Sequence, residues 1–563
     1  MEFTIKIPYG NIQEWKVINN STNNVEDISL NRIAGTKFFN DDVFSFQNKN
    51  VKINDSPVRR SIIPGVLVLE KDRRYGMHKN KYLYKCIPDD IQIPMFLVPY
   101  SPKDIGFHKK MYNKYVLFKY DNWNQKHPMG TIVEIFGDVN NVENFYNYQL
   151  HCKDIFISKK KLDKEVIKKI KITTVENHVK NMKEKYNIED YTHINNIYSC
   201  DPLGCDDIDD AFSMDKIEDG YILTIYIANV PLWLEYLNIW GSLTKQMATI
   251  YLPEKKRTML PNILSNNVCS LLSGEKKISF ALTFNVNQDY EIKSYHFSNR
   301  LIYVKKNCSY ANFSNEYPHY NQLMTLIYEM NKKNKYVNEI IDGHDIIEYM
   351  MVMMNNVSAN ELLKNENGIF RSLTLDKGIN IDKYDKDINK FLTMWKNNNC
   401  RYCDFKNAKP HDLMGLDLYC HITSPIRRMV DIINMLILQE NLGLVVESPD
   451  NLLFKNNMMG NIENINKCMK SIKRVQNDFN LLNTCVNDYG IKEKIFKGFV
   501  FDVEKSHDNY KYQVYIPALK MINKYITSEE IELMKSYNFR IYMFMDSIRL
   551  KQKIMLQRCY IIK

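Results

Sequence analysis

No stretch of the sequence approaches the roughly 18 consecutive apolar residues of a membrane-spanning helix, so no membrane association is expected. The start, Met1-Glu2-Phe3-Thr4-Ile5-Lys6, lacks the apolar run of a signal peptide. The 12 cysteines are scattered, and only Cys400 and Cys403 make a C-x-x-C pair. No second pair stands at the right spacing, which argues against a zinc finger and for reduced thiols. A cytosol-like compartment is expected, the cytoplasm first and the nucleus as alternative. Acid is scarcer than base: 66 Asp and Glu face 76 Lys and Arg, a net charge of +10. That balance suits a polyanionic partner.

Against this scarcity, five aspartates crowd into Asp201-Pro202-Leu203-Gly204-Cys205-Asp206-Asp207-Ile208-Asp209-Asp210. Such carboxylates repel unless a cation sits among them. Ala211 to Asp215 alternates like a strand, Glu218-Asp219-Gly220 signals a turn, and Tyr221 to Val230 reads as a second strand. The aspartates therefore lie on a loop entering a hairpin, where several carboxylates can face one point, as Mg²⁺ requires. A solvated acidic loop is the plain alternative, but Pro202, Ile208, Ala211 and Phe212 are interleaved with the acids. A calcium loop counted from Asp207 fails, because Phe212 stands where glycine is needed.

The rest of the chain reads as several domains. Short apolar runs such as Gly65 to Leu69 and Tyr115 to Phe118, split by turn residues, make the N-terminal part β-rich and suit small barrels. Arg59-Arg60, Arg73-Arg74-Tyr75 and Lys79 to Lys85 mix basic and aromatic residues, either a strand-binding surface or a solvated lysine face. Residues 158–190 predict a connecting helical segment, 191–490 a large central domain and 491–563 a further barrel. In the central domain Ile347, Met350, Met351, Met354, Val357 and Leu362 follow helical steps, with Glu348 and Asn355 as polar exceptions. In Tyr419 to Asp431, Ser424-Pro425 predicts a helix start. Arg427 and Arg428 would then oppose the helix dipole unless an anion such as phosphate binds there. Pairing with Asp431 is the alternative for an arginine of this turn.

Together these stretches resemble the ribonuclease II (RNB) family of exoribonucleases. Asp201 to Ala211 matches D-P-x-x-A-x-D-x-D-D-A with Cys205 for the first Ala, and His421 to Asp431 matches H-F-T-S-P-I-R-R-Y-x-D with Ile422 for Phe and Met429 for Tyr. Tyr251-Leu252-Pro253, Met259-Leu260-Pro261, Cys269-Ser270-Leu271, Ser309-Tyr310, Ile347-Glu348 with Asn355, and Arg371 also fit. Asp121-Asn122-Trp123, Pro128-Met129-Gly130 and Gly137-Asp138 resemble the second cold-shock barrel of the eukaryotic exosome-associated branch, without its N-terminal endonuclease domain. Pro88-Asp89-Asp90 and Ile93-Pro94 resemble the junction between its barrels.

The resemblance implies a multidomain α+β protein. OB-type barrels, cold-shock-like at 1–95 and 96–157 and a third at 491–563, flank a central α/β RNB catalytic domain. It implies a processive, hydrolytic 3′→5′ exoribonuclease that uses Mg²⁺, with Mn²⁺ as alternative, and releases nucleoside 5′-monophosphates from single-stranded RNA. A catalytically inactive RNA-binding scaffold is the alternative. By similarity, Asp201, Asp207, Asp209 and Asp210 form the metal set, Asp209 being the most critical for cleavage. Arg427 would stabilise charge on the scissile phosphate. Tyr251 and Tyr310 would hold the 3′-terminal nucleotides, and Glu348 a sugar hydroxyl. His421, Ser424 and Arg428 join them as substrate-binding residues. A monomer is expected; an exosome-like partner complex is conceivable from the resemblance, but no residue points to it.

Overall fold

The computed structural model describes residues 1–7, 15–26, 37–47, 50–70, 73–101, 111–374, 384–397, 400–412, 414–506, 509–546 and 550–559. The chain divides into two compact units, one of residues 1–156 and 481–563, the other of residues 157–480. None of the described helices is long and apolar enough to cross a membrane.

In the first unit, five antiparallel strands run in the order Val25–Glu26, Lys16–Asn19, Glu2–Lys6, Val43–Gln47 and Asn50–Asp55. They gather Phe3, Ile5, Ile7, Val17 and Phe44. A short helix, Pro57–Arg60, capped by Ser56, leads to the next body. There Ile62–Leu67 pairs with both Lys114–Asn122 and Lys81–Pro88. With Met129–Asp138 and Phe96–Tyr100 these close a five-stranded barrel. The barrel spans residues 62–138, so the expected division at residue 95 cuts through it and the true boundary lies at the 57–60 helix. Pro88-Asp89-Asp90 is not a junction between barrels: it follows Lys81–Pro88 on the way to its antiparallel neighbour Phe96–Tyr100.

One of the basic residues read as surface is structural. Arg59 is ion-paired at 2.5 Å with the fully buried Asp42 and lies over Phe39 and Tyr120. Arg60 pairs with Asp55 in solvent and stays a surface residue. Arg74, by contrast, is exposed with its guanidinium 4.1 Å above the half-exposed ring of Tyr82.

The C-terminal sheet of this unit runs Met521–Thr527, Asn509–Ile516, Phe496–Ser506, Lys535–Met545 and Gln552–Arg558, and its two outer strands lie against each other in a barrel-like closure. Lys551 beside it holds Asp89 at 2.6 Å, and both side chains are largely buried.

The second unit opens with the helices Lys160–Ile170 and Val175–Lys185. Leu162, Val166, Val179 and Met182 anchor them in the large core. A seven-stranded sheet follows, in the order Glu189–Asp190, Ile292–Tyr303, Lys276–Asn287, Gly220–Ala228, Asp210–Ile217, Tyr198–Asp201 and Lys306–Ser309. Lys276–Asn287 is buried on both faces for most of its length, which its near-continuous apolar run dictates. The second hairpin strand stops at Ala228, because Asn229 caps a helix, Val230–Leu237, with Pro231 in its first turn. The helix Gly343–Lys364 carries the methionine-rich face inward. The helix Met429–Asn441 is buried all round through Gln439, its largely apolar sequence broken by the buried Asp431 and Asn434.

Candidate active site

Two strand ends make the site. Tyr198–Asp201 runs antiparallel to Asp210–Ile217, with Tyr198 opposite Phe212. The acidic stretch between them is an excursion off the sheet that brings the chain back to its starting edge. Its far side is pinned where Ser270 Oγ accepts from the Ile208 amide at 2.9 Å and the Leu271 amide donates to Ile208 O at 3.0 Å. Tyr198–Asp201 also runs parallel to Lys306–Ser309 with Asp201 opposite Ser309, which sets the next residue, Tyr310, beside the aspartates.

Each aspartate has a distinct setting. Asp209 is buried: its Oδ1 accepts from the Ile426 amide at 2.8 Å and its Oδ2 from Arg427 Nε at 3.1 Å. Burial pushes its carboxyl up to about 7, with Arg427 pulling the other way. Burial also raises Asp201 to about 6. Asp210 is pushed well above the carboxylate range by burial and by Asp201 and Asp209. Asp201 Oδ2 is buried with no hydrogen-bond partner. Asp207 accepts from the Tyr251 hydroxyl at 3.3 Å and from Lys256 Nζ at 2.9 Å, and Cys205 Sγ lies 3.5 Å from it.

These residues fit a divalent cation. Three carboxyls pushed towards their neutral forms and an orphaned buried oxygen describe a place where positive charge is missing. The four aspartates do not, however, bring three ligand atoms within 4.8 Å of one another; among the described residues only His344, Asp345 and Glu348 do. That trio is otherwise engaged. Asp345 closes the capping box of its helix by accepting from the Asp342 amide, and His344 and Glu348 lie on the exposed face. Asp207 turns to Lys256 and Tyr251, and Asp209 to Arg427.

The second motif supplies the cation side. Arg427 Nη2 donates to Ser424 Oγ at 3.0 Å, and its side chain stays 45% exposed, so further N–H groups face outward. Arg428 does not share this role. It donates to the fully buried Asp431 at 2.7 Å, the alternative pairing. The helix also begins later than expected. Ser424 is no cap: residues 425–427 turn, Arg428 is extended in a bridge with Ala248, and the helix starts at Met429. The expected clash of two arginines with a helix dipole therefore does not arise. His421 is likewise interior, between Arg371 at 3.2 Å and the Tyr402 hydroxyl at 2.8 Å, and burial and the nearby arginines hold it well below the usual imidazole range. In this position it supports Arg371.

Asn355 explains its place inside a helix. It accepts from the Ile422 amide at 2.9 Å and donates to the Tyr419 hydroxyl at 3.1 Å, so it shapes the strand leading to Ser424. Tyr310 and Glu348 come together through His344, whose ring centroid is 5.2 Å from that of Tyr310. Lys256 and Asp206, which pair with each other, were missed by sequence reasoning. Nothing local in the sequence couples Lys256 to the aspartates.

Residues 188–338 and 320–443 match the RNB domain. The chain carries an RNB domain over this stretch. Human exosome complex exonuclease RRP44 is 30% identical over 203 residues, 35% of this chain and 20% of the human protein, so the matched stretch is a fifth of that relative's length. Mycoplasma genitalium RNase R, solved with ribose-methylated single-stranded RNA, superposes with a TM-score of 0.69 at 16% identity, covering 99% of this chain and 100% of the other. Yeast Ssd1, described as a pseudonuclease, superposes at 0.55 and 14% identity over 96% of this chain and 80% of its own. At these identities the structural likenesses establish the fold: OB-type barrels at either side of the RNB domain in sequence.

The aspartates make a pH-dependent prediction. Asp209 and Asp210 titrate higher in the folded chain than the usual 3.8, so their burial costs stability that grows as pH rises through their folded values. His151 and His411, both lowered to about 4 by burial, change charge in the unfolded chain only below about 6.5. Between pH 6.5 and 8 the aspartates therefore dominate. In that window the melting temperature of the metal-free protein falls and the rise produced by Mg²⁺ grows, as read by calorimetry. A Mg²⁺ response that stays level or shrinks over the window contradicts the assignment.

Proposed function

We propose that this RNB-domain protein is a Mg²⁺-dependent hydrolase that degrades single-stranded RNA processively from its 3′ end to nucleoside 5′-monophosphates. The observation that supports it most is an outward-facing Arg427, held by Asp209 and Ser424, beside the buried carboxyls of Asp201 and Asp210. An inactive scaffold has no use for such a costly concentration of buried charge.

In this reading Asp201, Asp207 and Asp210 hold Mg²⁺, or Mn²⁺ in its place, and the ion supplies charge neutralisation at phosphate and a more acidic water. Asp209 positions Arg427 and the turn carrying Ile426. Arg427 offers its free N–H groups to the scissile phosphate, where a preorganised donor favours developing charge. Tyr251 and Tyr310 hold the last bases, each stack contributing about 1–3 kcal/mol. Glu348 takes a sugar hydroxyl, one route to preferring RNA over DNA. The exposed pair Arg74 and Tyr82 offers a backbone charge and a stacking face to the incoming strand. The working form is a monomer in the cytoplasm.

The likeness to a pseudonuclease favours the second reading, an RNA-binding scaffold without cleavage. One experiment separates them. A 5′-labelled linear RNA, the same RNA with a 3′-phosphate and a circular RNA are incubated with Mg²⁺. The linear RNA shortens from its 3′ end to monophosphates, while the blocked and circular RNAs persist. Binding without shortening supports the scaffold, and rapid cleavage of the circle shows internal cutting and defeats the exonuclease reading.

A further inference from the structure

One side chain already occupies a place where a cation is wanted. The hairpin Ile250–Tyr251 and Lys256–Arg257 sets Tyr251 directly opposite Lys256. From these two positions it covers both oxygens of Asp207: Lys256 Nζ donates to Oδ1 at 2.9 Å and the Tyr251 hydroxyl to Oδ2 at 3.3 Å. Lys256 reaches Asp206 as well, and its side chain is only 26% exposed. Arg257, the next residue, turns away to Glu254 at 2.8 Å. The hairpin thus gives its ammonium to the acidic loop while its guanidinium serves the hairpin itself.

We propose that Lys256 is a resident counter-ion that competes with the divalent cation for Asp207, so that filling the metal site moves Lys256 wholly onto Asp206 and releases the Tyr251 hydroxyl. The proposal rests on reading Asp201, Asp207 and Asp210 as metal ligands. Three observations carry it. The oxygen that Lys256 holds belongs to an expected ligand, and an ammonium and a metal ion cannot share one carboxylate oxygen at contact distance without strong repulsion. Lysine is a point charge on a flexible stem, able to change partners without rebuilding the backbone. Asp206 is half-exposed and already bonded to both Lys256 and Asn266, so a second partner stands ready. The hairpin joins the two events: the residue that vacates Asp207 and the tyrosine that holds the RNA end face each other across one pair of short strands. By linkage, whatever draws Tyr251 away from Asp207 must also favour metal binding.

The test is calorimetric titration of Mg²⁺ into the full-length, chelator-treated protein, without RNA, at low and at high salt. The proteins are wild type, Lys256→Met, Lys256→Gln, Lys256→Arg and, as a blank for the site, Asp201→Asn. Two neutral variants are included so that one that fails to fold, seen by melting in chelator, leaves the other. Couplings of this kind are typically about 5–150-fold, so the neutral variants bind Mg²⁺ at least about fivefold more tightly than wild type, and Lys256→Arg does not. The gain persists at high salt, because a contact competitor is not screened as a distant charge is. Equal or weaker binding by the neutral variants, with Asp201→Asn abolishing binding in all, overturns the competition and leaves the metal site standing. A gain that vanishes at high salt overturns it too, reducing Lys256 to a distant charge. If wild type binds no better than Asp201→Asn, the metal reading fails and the proposal with it.

Discussion

Replacing Asp209 by Asn stops RNA hydrolysis while RNA binding survives. The carboxylate holds the Ile426 amide with one oxygen and Arg427 Nε with the other. An asparagine can accept only through its single oxygen, and its amide group would present N–H to a partner that also donates. Arg427 loses its ion pair, and the turn carrying it loses its fixed point. Loss of one preorganised charge contact lowers a rate by about 10²–10³-fold, and here the neighbouring aspartates are disturbed as well. Tyr251 and Tyr310, the residues proposed to hold the RNA end, are not touched. The check is a single-turnover assay beside a binding titration in the same buffer. Hydrolysis within about tenfold of wild type at saturating Mg²⁺ removes Asp209 from the centre of the mechanism.

The second large effect separates two adjacent arginines. Arg428→Ala destabilises the fold by about 3–5 kcal/mol, the cost of leaving a buried charge without its partner. Asp431 is fully buried and is held by Arg428 at 2.7 Å and by the Ser424 amide at 2.7 Å. Removing the guanidinium strips one of these and opens a gap below the bridge to Ala248. Arg427→Ala does the reverse. Its side chain is 45% exposed, and Asp209 keeps the Ile426 amide and can take up a proton near pH 7. The Arg427 variant stays folded and loses catalysis; the Arg428 variant loses stability first. Denaturant unfolding and single-turnover rates on both proteins read the two effects separately. Equal stability losses at the two positions contradict the assignment.

What could be read beforehand was chemistry carried by neighbours in sequence. The aspartates, Arg427 and Tyr310 lie in short patterns whose meaning does not depend on remote residues. The core face of the Gly343–Lys364 helix is local in the same sense, since its period of apolar residues is set within a few turns. The misreadings share a cause in distant pairing. Ser424-Pro425 has the chemistry of a helix start, but Arg428 is drawn into a bridge with Ala248 far back in the chain, and the helix waits until Met429. Pro88-Asp89-Asp90 has the chemistry of a linker, but Ile62–Leu67 reaches across to Lys81–Pro88 and makes it an internal connection. His421 lies in a motif full of site residues, yet Tyr402 and Arg371, both remote in sequence, take its two nitrogens. Arg428 was open between phosphate and Asp431, and only burial decides between them.

The Lys551–Asp89 pair joins residues 462 apart in sequence, within a unit whose two parts are interrupted by the whole of residues 157–480. Such a closure is cheap at equilibrium, because each doubling of loop length adds only about 0.6 kcal/mol. It is expensive in time. During synthesis the N-terminal barrels emerge with Asp89 unpaired and wait while the whole second unit is made, and domains generally fold as they appear. The second unit therefore reaches its native state before the first is complete. A ribosome stalled short of residue 551 would carry a folded second unit and a first unit whose Asp89 still lacks its lysine, an unfinished state open to capture by chaperones.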